Sequence, residues 1–531
     1  MMPEGYDFIV VGGGSAGSVI AARLSEDTSA TVLLLEAGSS DRHPLFHLPA
    51  GFAKMTKGIG SWGWTTVPQR HMQNKVFPYT QAKVIGGGSS INAQIYTRGA
   101  AQDYDDWRQM GCVGWSYNDV LPYFRKSEDN DSFEDEFHAK GGPLGVSKPV
   151  APLPICDAFI AAAGEVGIPT TQDVNGDQQD GAGYYQLTQR IARRSSAAMA
   201  FLAPNRNRQN LTIRTGAQVH RLVVENGRVA GIELMDGSVL TAAREVILCC
   251  GAIGSPRLLQ LSGIGPADHL ESLGLKVTYD QPQVGANLQD HLDLYAICEV
   301  TGPHTYDRFA KLPFSALAAL KYVFTRNGPV ASSLFETGGF WYADSQARSP
   351  DIQMHLGLGT GIEAGVQAMP NGGVTLNACF LRPRSRGTVR LQSSDPMAMP
   401  LIDPNYLADP YDREMSIRGL KLVQRILAQD ALKPFILAER LPGPDIRTDQ
   451  NYFDFICVHS KTSHHCAGTC RMGVDDGAVL DPRLRFNGID GLRVADASIM
   501  PTVNSSNTNA PSIMIGEKAA DMIKLDHGMS L

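Results

Sequence analysis

Three glycines near the start of this 531-residue chain constrain its fold more than any other feature. Gly12, Gly14 and Gly17 have the spacing G-x-G-x-x-G, and they lie between the apolar run Phe8–Val11 and a segment, 16–24, with helical character. In such a loop the first glycine makes the tight turn, the second lets a phosphate approach the backbone, and the third allows close helix–strand packing. The pattern predicts a parallel sheet with a phosphate-binding loop after its first strand.

A second strand is predicted at Thr31–Leu35, and it ends on Glu36. Strand, helix and strand within about 30 residues form a βαβ unit. An acid at the end of the second strand accepts hydrogen bonds from adenosine ribose hydroxyls, which disfavours NADP. Ser15, Ala16 and Ala37 complete the predicted site. The motif by itself leaves FAD and NAD open.

The region after residue 210 carries a different pattern. Short apolar strands are predicted at Leu211–Arg214, Val219–Val224, Val229–Leu234 and Val246–Leu248. Turn signals that include Asn226-Gly227 separate them, which favours a hairpin meander. The last element, from about Pro511, is predicted to be an amphipathic helix.

Composition excludes several classes of protein. Lys and Arg number 47 against 54 Asp and Glu, a net charge of −7, which argues against a nucleic-acid binder. The nine cysteines are too few and unpaired for a disulfide scaffold, so free thiols in a reducing compartment are expected. No stretch of 18 apolar residues and no basic leader at the N-terminus is found, which predicts a cytoplasmic protein without a transmembrane segment. Peripheral association with a membrane stays open.

Further segments resemble the signatures of the glucose–methanol–choline (GMC) flavoprotein oxidoreductases. These segments are Ala82–Asn92, Gly251–Gly265, His465–Gly473 and Asn507–Pro511. Together with the N-terminal motif they span essentially the whole chain. Within the family, Ile91-Asn92-Ala93 and Gly338–Tyr342 look most like FAD-dependent L-sorbose dehydrogenases. Choline dehydrogenases and aromatic or furanic alcohol oxidases are also similar.

The resemblance implies an α/β protein of two discontinuous domains. A Rossmann-like FAD-binding domain is expected from residues 1–155, 200–295 and 463–531. A substrate-binding domain, built on an antiparallel sheet flanked by helices, is expected from residues 156–199 and 296–462.

The resemblance also implies a set of FAD-binding residues and the mode of binding. The expected contacts are Gly12, Gly14, Ser15, Ala16, Gly17, Glu36, Ala37, Gly86, Gly88, Ser89, Asn92, Ala93, Val219, Gly251, Asp496, Ala497, Asn509, Ala510 and Pro511. Some family members attach FAD through a histidine just before the signature asparagine, where this chain has Ile91. Dissociable FAD is therefore predicted.

Alcohol oxidation needs a base for the hydroxyl proton, and a neutral imidazole can serve. By family alignment that base is His465, with Asn509 as its partner donating a hydrogen bond to the developing alkoxide. If 463–466 is extended, adjacent side chains point to opposite faces, so only one of His464 and His465 reaches the flavin. A zinc site from these histidines with Cys466 and Cys470 lacks paired spacing, and no metal is predicted. The N-terminus of the helix at Pro511 is expected to face the flavin.

The predicted function is oxidation of a small alcohol, with L-sorbose the leading substrate and choline or aromatic and furanic alcohols as alternatives. Glu336 and His464 are candidate substrate contacts. The predicted partners are the alcohol and an electron acceptor such as a quinone, a dye or O2. A non-redox hydroxynitrile lyase of the same family and a nicotinamide dehydrogenase are the other hypotheses, and the second leaves the later segments unexplained.

Overall fold

The computed structural model describes residues 4–55, 57–362, 366 and 368–531. Residues 1–3, 56, 363–365 and 367, which fall inside the predicted domain segments, lie outside the described part. The strands of the two large sheets are, in chain order, β1 (Glu4–Val11), β2 (Val32–Glu36), β3 (Gly181–Tyr184), β4 (Leu211–Thr215), β5 (Val219–Glu225), β6 (Arg228–Leu234), β7 (Val239–Leu248), β8 (Leu292–Val300), β9 (Phe335–Trp341), β10 (Ile352–Gly357), β11 (Gly373–Phe380), β12 (Ile436–Leu441), β13 (Lys461–Thr462) and β14 (Leu492–Val494).

The α-helices of the described part surround these sheets. They are α1 (Ser15–Leu24), α2 (Phe52–Met55), α3 (Gly88–Ile91), α4 (Ala101–Gln109), α5 (Tyr117–Ser127), α6 (Pro154–Glu165), α7 (Gly251–Leu261), α8 (Ala267–Ser272), α9 (Phe314–Thr325), α10 (Pro410–Leu427), α11 (Asp449–His459) and α12 (Asn509–Asp526). No helix in the described residues is both long and apolar enough to cross a bilayer.

The first sheet has the order β4-β2-β1-β7-β6-β5, and β14 pairs with β7. Strands β4, β2, β1, β7 and β14 run parallel to one another, whereas β7 is antiparallel to β6. Their central residues, such as Phe8–Val10 and Leu33–Leu34, are fully buried; α1 packs on β1 and β2, and α12 packs on α1. The continuous apolar runs in the sequence therefore mark parallel strands that are buried on both faces.

The second sheet is antiparallel, with the order β12-β8-β11-β10-β9-β3 and β13 paired with β8. One face packs on α10 and α6, and Leu294 and Ala378 lie in that core. The other face carries polar side chains, since successive residues of a strand alternate between faces. The α/β fold with a Rossmann-like sheet and an antiparallel sheet agrees with the prediction.

The predicted meander is confirmed in part. Strands β5, β6 and β7 form it, and Asn226 and Gly227 have φ values of 51° and 77°, as a tight hairpin turn requires. The expectation that Leu211–Arg214 belongs to the meander is wrong. This segment forms β4, which pairs in parallel with β2 at the opposite edge of the sheet. Local alternation shows that a strand exists, but not which neighbour it joins.

Candidate active site

An elongated cavity runs from the phosphate-loop end of the first sheet to the polar face of the second. The N-termini of three long helices open onto it. Ser15 begins α1, Gly251 begins α7 and Asn509 begins α12, and all three residues line the cavity. Helix N-termini present free N–H groups and a positive dipole end, so this wall attracts negative charge.

The glycine loop has the geometry that its sequence predicts. Gly12 has φ +104°, and a Cβ there would lie 2.4 Å from the carbonyl oxygen of Cys249. A Cβ on Gly17 would lie 1.9 Å from the carbonyl oxygen of Gly12, so α1 packs directly on the loop. Gly14 faces the cavity. The tight turn therefore requires Gly12, the close approach of a ligand requires Gly14, and the packing of α1 on the loop requires Gly17.

Two carboxylates complete the nucleotide end of the cavity. Glu36 accepts hydrogen bonds from the backbone N–H groups of Gly13, at 3.0 Å, and Gly38, at 2.7 Å. Asp496 accepts from the N–H of Gly251, at 2.9 Å, and so lies at the N-terminus of α7. Burial raises the pKa of both carboxyl groups, while these backbone donors act in the opposite direction.

These residues fit a dinucleotide. The loop glycines admit a pyrophosphate, and Glu36 keeps lone pairs for ribose hydroxyls. Asn509 gives an independent indication, because its Oδ1 accepts from the Ser15 hydroxyl at 2.8 Å while its buried Nδ2 has no partner among the described residues. A buried amide N–H without a partner is costly, which indicates that a ligand atom fills this place.

Most of the predicted cofactor residues line the cavity. They are Gly12, Gly14, Ser15, Ala16, Glu36, Ala37, Gly88, Asn92, Ala93, Val219, Gly251, Asp496, Ala497 and Asn509. The remaining ones, Gly17, Gly86, Ser89, Ala510 and Pro511, lie behind its wall. Gly86, for example, has φ +86° and its N–H donates to Gly13, so it shapes the loop without facing the cavity. A contiguous sequence signature contains residues that face the cavity and residues that only shape the loop. Their spacing in the sequence does not distinguish the two kinds.

His465 lies where the cavity meets the second sheet, and its hydrogen bonds fix its tautomer. His291 Nε2 is 3.0 Å from the carbonyl oxygen of Leu381, which only accepts, so His291 carries its proton on Nε2. Burial lowers the pKa of His291 to about 4, so the ring is neutral and its Nδ1 is an acceptor. His465 Nδ1, 3.0 Å away, therefore donates to it. The lone pair of neutral His465 is therefore on its Nε2.

The Nε2 lone pair of His465 accepts a hydrogen bond from Asn507. The Nδ2 of Asn507 is 3.0 Å from it, and the Oδ1 of Asn507 accepts from Thr97 and Gln353, each at 2.9 Å. These two donors orient the amide with its N–H toward the histidine. The Asn509 expected as the partner of His465 instead hydrogen-bonds to Ser15, because it begins α12 beside the glycine loop. Asn507 thus occupies the position beside His465 that the sequence analysis gave to Asn509.

The backbone of His465 is held by Asp290. The Oδ1 of this fully buried carboxyl group accepts from the N–H of His465 at 2.7 Å, and its Oδ2 accepts from the hydroxyls of Tyr79, Thr462 and Tyr406. Adjacent residues 290 and 291 therefore fix the backbone and the ring of His465. Sequence reasoning missed both residues and Asn507. A signal was present in the polar triplet 289–291 directly before a buried strand.

The condition that segment 463–466 is extended, on which the choice between the two histidines rested, is not met. His464 has φ +61°, which interrupts the extended conformation, and both rings line the cavity. The Nδ1 of His464 has no partner among the described residues. Burial lowers the pKa of His464 to about 3, with a further contribution from the charge of Lys461.

Polar side chains from four strands of the second sheet, β8, β10, β11 and β13, form the floor of this end of the cavity. Asp293 pairs with Lys461 and accepts from Asn377 Nδ2 at 2.9 Å. His355 lies opposite Asn377 across the strand pair, and burial lowers its pKa to about 3. Ligand atoms of Asp293, His355 and Cys379 lie within 4.8 Å of one another. The ammonium of Lys461 on Asp293 opposes a metal cation there.

Glu336 does not line the cavity. Phe335 precedes it on β9 and faces the cavity, whereas Glu336 is buried toward Cys156 on α6. Burial raises the pKa of Glu336 to about 7. The prediction that Glu336 contacts substrate is therefore corrected, since neighbouring strand residues point to opposite faces.

The pKa of His465 itself lies well below its usual value. Burial is the main cause, and the neighbouring histidines and Lys461 add to it. The imidazole is therefore neutral and able to accept a proton near neutral pH. A phosphate-binding sheet edge joined by one cavity to a neutral, oriented histidine defines a nucleotide-dependent oxidoreductase.

Comparison with known proteins identifies the family. Family models for GMC oxidoreductases match residues 6–293 and 383–516, in the N-terminal and C-terminal parts of the chain. The chain belongs to the GMC oxidoreductase family, as its sequence segments predicted. FAD is the cofactor that this family membership and the cavity support.

Relatives over nearly the whole length include two bacterial dehydrogenases. An oxygen-dependent choline dehydrogenase from Rhizobium etli is 40% identical over 524 residues, which covers 97% of this chain and 95% of that protein. An alcohol dehydrogenase [acceptor] from Pseudomonas putida is 39% identical over 527 residues, with coverage of 98% and 95%. Among solved structures, pyridoxine 4-oxidase from Mesorbium loti has a TM-score of 0.89 at 33% identity, covering 99% of this chain and all of that one.

Proposed function

We propose that this protein oxidises a neutral primary alcohol to an aldehyde, with FAD bound non-covalently in the cavity. The observation that carries the proposal is the neutral ring of His465, which lines the cavity and whose Nδ1–H is held by His291, so that Nε2 is its basic atom. FAD, when bound, supplies the acceptor for the hydrogen and electron pair that leave the alcohol carbon. Ile91 offers no nucleophile for a covalent link to it.

In this proposal His465 removes the hydroxyl proton. Its Nδ1–H is committed to His291, so the incoming proton goes to Nε2. The resulting imidazolium shares its Nδ1–H with the buried His291 acceptor. Asn507 holds the ring in place, and its Nδ2–H, which donates to Nε2 in the free protein, becomes available to the developing alkoxide once Nε2 is protonated.

The charges at this end of the cavity favour a neutral substrate. Among the described acidic residues that line the cavity, Glu36 and Asp496 lie at the nucleotide end, so Asp293 is the carboxylate on the substrate side. Lys461 pairs with Asp293 and cancels its charge. A quaternary ammonium would meet no net negative charge there.

Unpartnered polar atoms favour a substrate with hydrogen-bonding groups of its own. His355 Nε2, Asn377 Oδ1 and His464 Nδ1 are buried, line the cavity and have no partner among the described residues. A site that leaves such atoms to its ligand selects strongly against ligands that lack matching groups. L-sorbose and hydroxymethylated aromatic rings both belong to this class, although none of the three relatives is named for a sugar.

Choline is the second candidate substrate. It is favoured by the 40% identity to the choline dehydrogenase from Rhizobium etli. The pairing of Asp293 with Lys461 argues against choline, because it leaves no net negative charge for the ammonium group. Comparing activity on choline with activity on neutral alcohols therefore tests the proposed substrate class.

The test measures flavin reduction and turnover in wild-type protein and in His465→Ala. Removing the base is expected to lower turnover by roughly 10²–10⁴-fold, the usual contribution of general base catalysis, with FAD still bound. Acid precipitation is expected to release the flavin into the supernatant. Assays with L-sorbose, hydroxymethylpyridines, benzylic alcohols and choline, with O2 or a dye as acceptor, rank the substrates.

The matched control is His43→Ala, which removes an exposed histidine and is expected to leave turnover unchanged. Unchanged turnover in His465→Ala would show that the base is another residue. A higher kcat/KM for choline than for every neutral alcohol would overturn the neutral substrate class while leaving the family chemistry intact.

A further inference from the structure

Helix α9 exposes an apolar face to solvent. Leu317, Leu320 and Phe324 follow the i, i+3, i+7 spacing of one helix face, and Val323 lies beside them. Together with Leu312 and Phe314, these side chains are between 44% and 80% exposed. A surface helix ordinarily turns such an apolar stripe toward the core, whereas α9 turns it toward solvent.

The orientation of α9 is fixed by its inner face. Ala318 and Tyr322 are the buried residues of this helix. The Tyr322 hydroxyl donates to the carbonyl oxygen of Ala192 at 2.9 Å, and its ring packs with Ala331 and Val330. A rotation of α9 that buried the apolar stripe would break these contacts of Tyr322, so the stripe stays exposed to solvent.

Within the segment 308–335, which includes α9, the charges are all of one sign. Residues 308–335 contain no aspartate or glutamate but four cations, Arg308, Lys311, Lys321 and Arg326. This segment is basic in a chain whose net charge is −7. Apolar side chains between lysines and arginines are the pattern of helices that lie in a lipid headgroup layer. There the cations reach the phosphates while the apolar side chains enter the acyl boundary.

We propose that the surface formed by Leu312–Arg326 docks on an anionic lipid bilayer, with α9 parallel to the membrane plane. A second copy of this chain fits the surface poorly, because a two-fold contact would place the four cations of each copy against those of the other. A membrane with anionic headgroups matches both the apolar stripe and the cations.

The docking surface lies close to the cavity. The turn Pro329–Ala331 follows α9 and packs against Pro49–Gly51, and the next residue, Phe52, lines the cavity. Docking through α9 would therefore place this side of the cavity near the lipid surface. Apolar compounds dissolved in the bilayer would then be concentrated beside the enzyme.

The test is flotation of the flavin-loaded protein with vesicles of phosphatidylcholine alone or with about a third of phosphatidylglycerol. The wild type is expected to float with the anionic vesicles and to be released by high salt. Leu317→Ser/Val323→Ser is expected to lose about tenfold or more in partition coefficient, since two inserted side chains are removed. Lys321→Gln/Arg326→Gln is expected to lose roughly tenfold or more and most of the salt dependence.

The matched control is Leu437→Ser/Val113→Ser, which removes the same pair of residue types from exposed positions outside α9. It is expected to bind vesicles as the wild type does. Thermal unfolding and turnover of soluble alcohol are expected to be unchanged in all these variants, which separates docking from folding and catalysis. Absence of wild-type binding to anionic vesicles, or equal binding by Leu317→Ser/Val323→Ser, would overturn the proposal. An oligomer that this variant dissociates, without vesicle binding, would assign the surface to self-association instead.

Discussion

At the scale of single residues, the candidate base depends on donors and acceptors that no sequence spacing shows. The tautomer of His465 is set by Leu381 through His291, because a carbonyl oxygen can only accept. Asn507 then presents an N–H, rather than an acceptor, to Nε2. Reversing that one contact should change the protonation state of His465 without moving its backbone.

Asn507→Asp tests this arrangement. A carboxylate beside Nε2 favours the protonated ring, so the pKa of His465 rises and a smaller fraction of the neutral base is present at a given pH. Turnover is expected to fall by roughly 10²–10⁴-fold at neutral pH, and the acid limb of the kcat/KM profile is expected to move to higher pH. The matched control, Asn507→Ala, removes the hydrogen bond to the neutral ring without adding charge and should move the limb much less than Asn507→Asp does. Superimposable pH profiles for the two variants would contradict this role.

At the scale of elements, α1 and α12 carry two of the three helix N-termini that face the cavity, and they pack against each other. Gly516 allows close approach, since a Cβ there would lie 2.8 Å from the carbonyl oxygen of Ala16. Arg23 on α1 holds Glu517 on α12 through two hydrogen bonds of 2.7 and 2.8 Å. The side chain of Glu517 is fully buried, so its charge depends on this partner.

Arg23→Ala is therefore expected to lower the free energy of unfolding by about 3 kcal/mol, because it leaves a buried carboxylate with weaker partners. Arg23→Leu/Glu517→Leu should recover most of that loss, since an apolar pair leaves no charge to solvate. Urea unfolding measures both. The surface pair of Arg348 and Asp106 is the control, and Arg348→Ala should change stability by less than about 1 kcal/mol. Equal effects of Arg23→Ala and Arg348→Ala would contradict the argument.

At the scale of the whole molecule, the junction between the two sheets concentrates buried neutral histidines. Burial lowers the pKa of His291 to about 4 and those of His355 and His464 to about 3. In the unfolded chain a histidine binds its proton near pH 6.5, so below that pH the unfolded state binds more protons than the folded state. Stability is therefore lost as the pH falls from about 6.5 toward 4.

The free energy of unfolding of the FAD-saturated protein is expected to fall by up to about 1.4 kcal/mol per pH unit for each of these three histidines. Urea unfolding at several pH values in this range measures the slope. His465, whose pKa burial also lowers, is a fourth such group, so His464→Asn should reduce the slope by about a quarter, whereas His43→Asn, at an exposed position, should not. A stability that is flat over this range would contradict the burial of neutral histidines.

Much of the fold and the nucleotide end of the site could be predicted because they depend on contiguous residues. The glycine loop, Glu36 and the turn at Asn226-Gly227 each carry their geometry within a few residues of chain, where backbone sterics restrict the choices. The neighbour of β4, the backbone conformation at His464 and the face of Glu336 were not predicted correctly. They depend on strand pairing and on one residue with positive φ. The alternation of polar and apolar residues along the sequence reveals neither.

The sequence by itself determined the family, the phosphate-binding sheet and the identity of the histidine at the junction. Tertiary structure alone decided what surrounds that histidine. Asp290 and His291 come from one segment, Asn507 from another and Lys461 from a third, and they meet only when the second sheet closes against the first. The physical reason is that hydrogen-bond direction and burial, which set the protonation of a side chain, are properties of neighbours in space rather than along the chain.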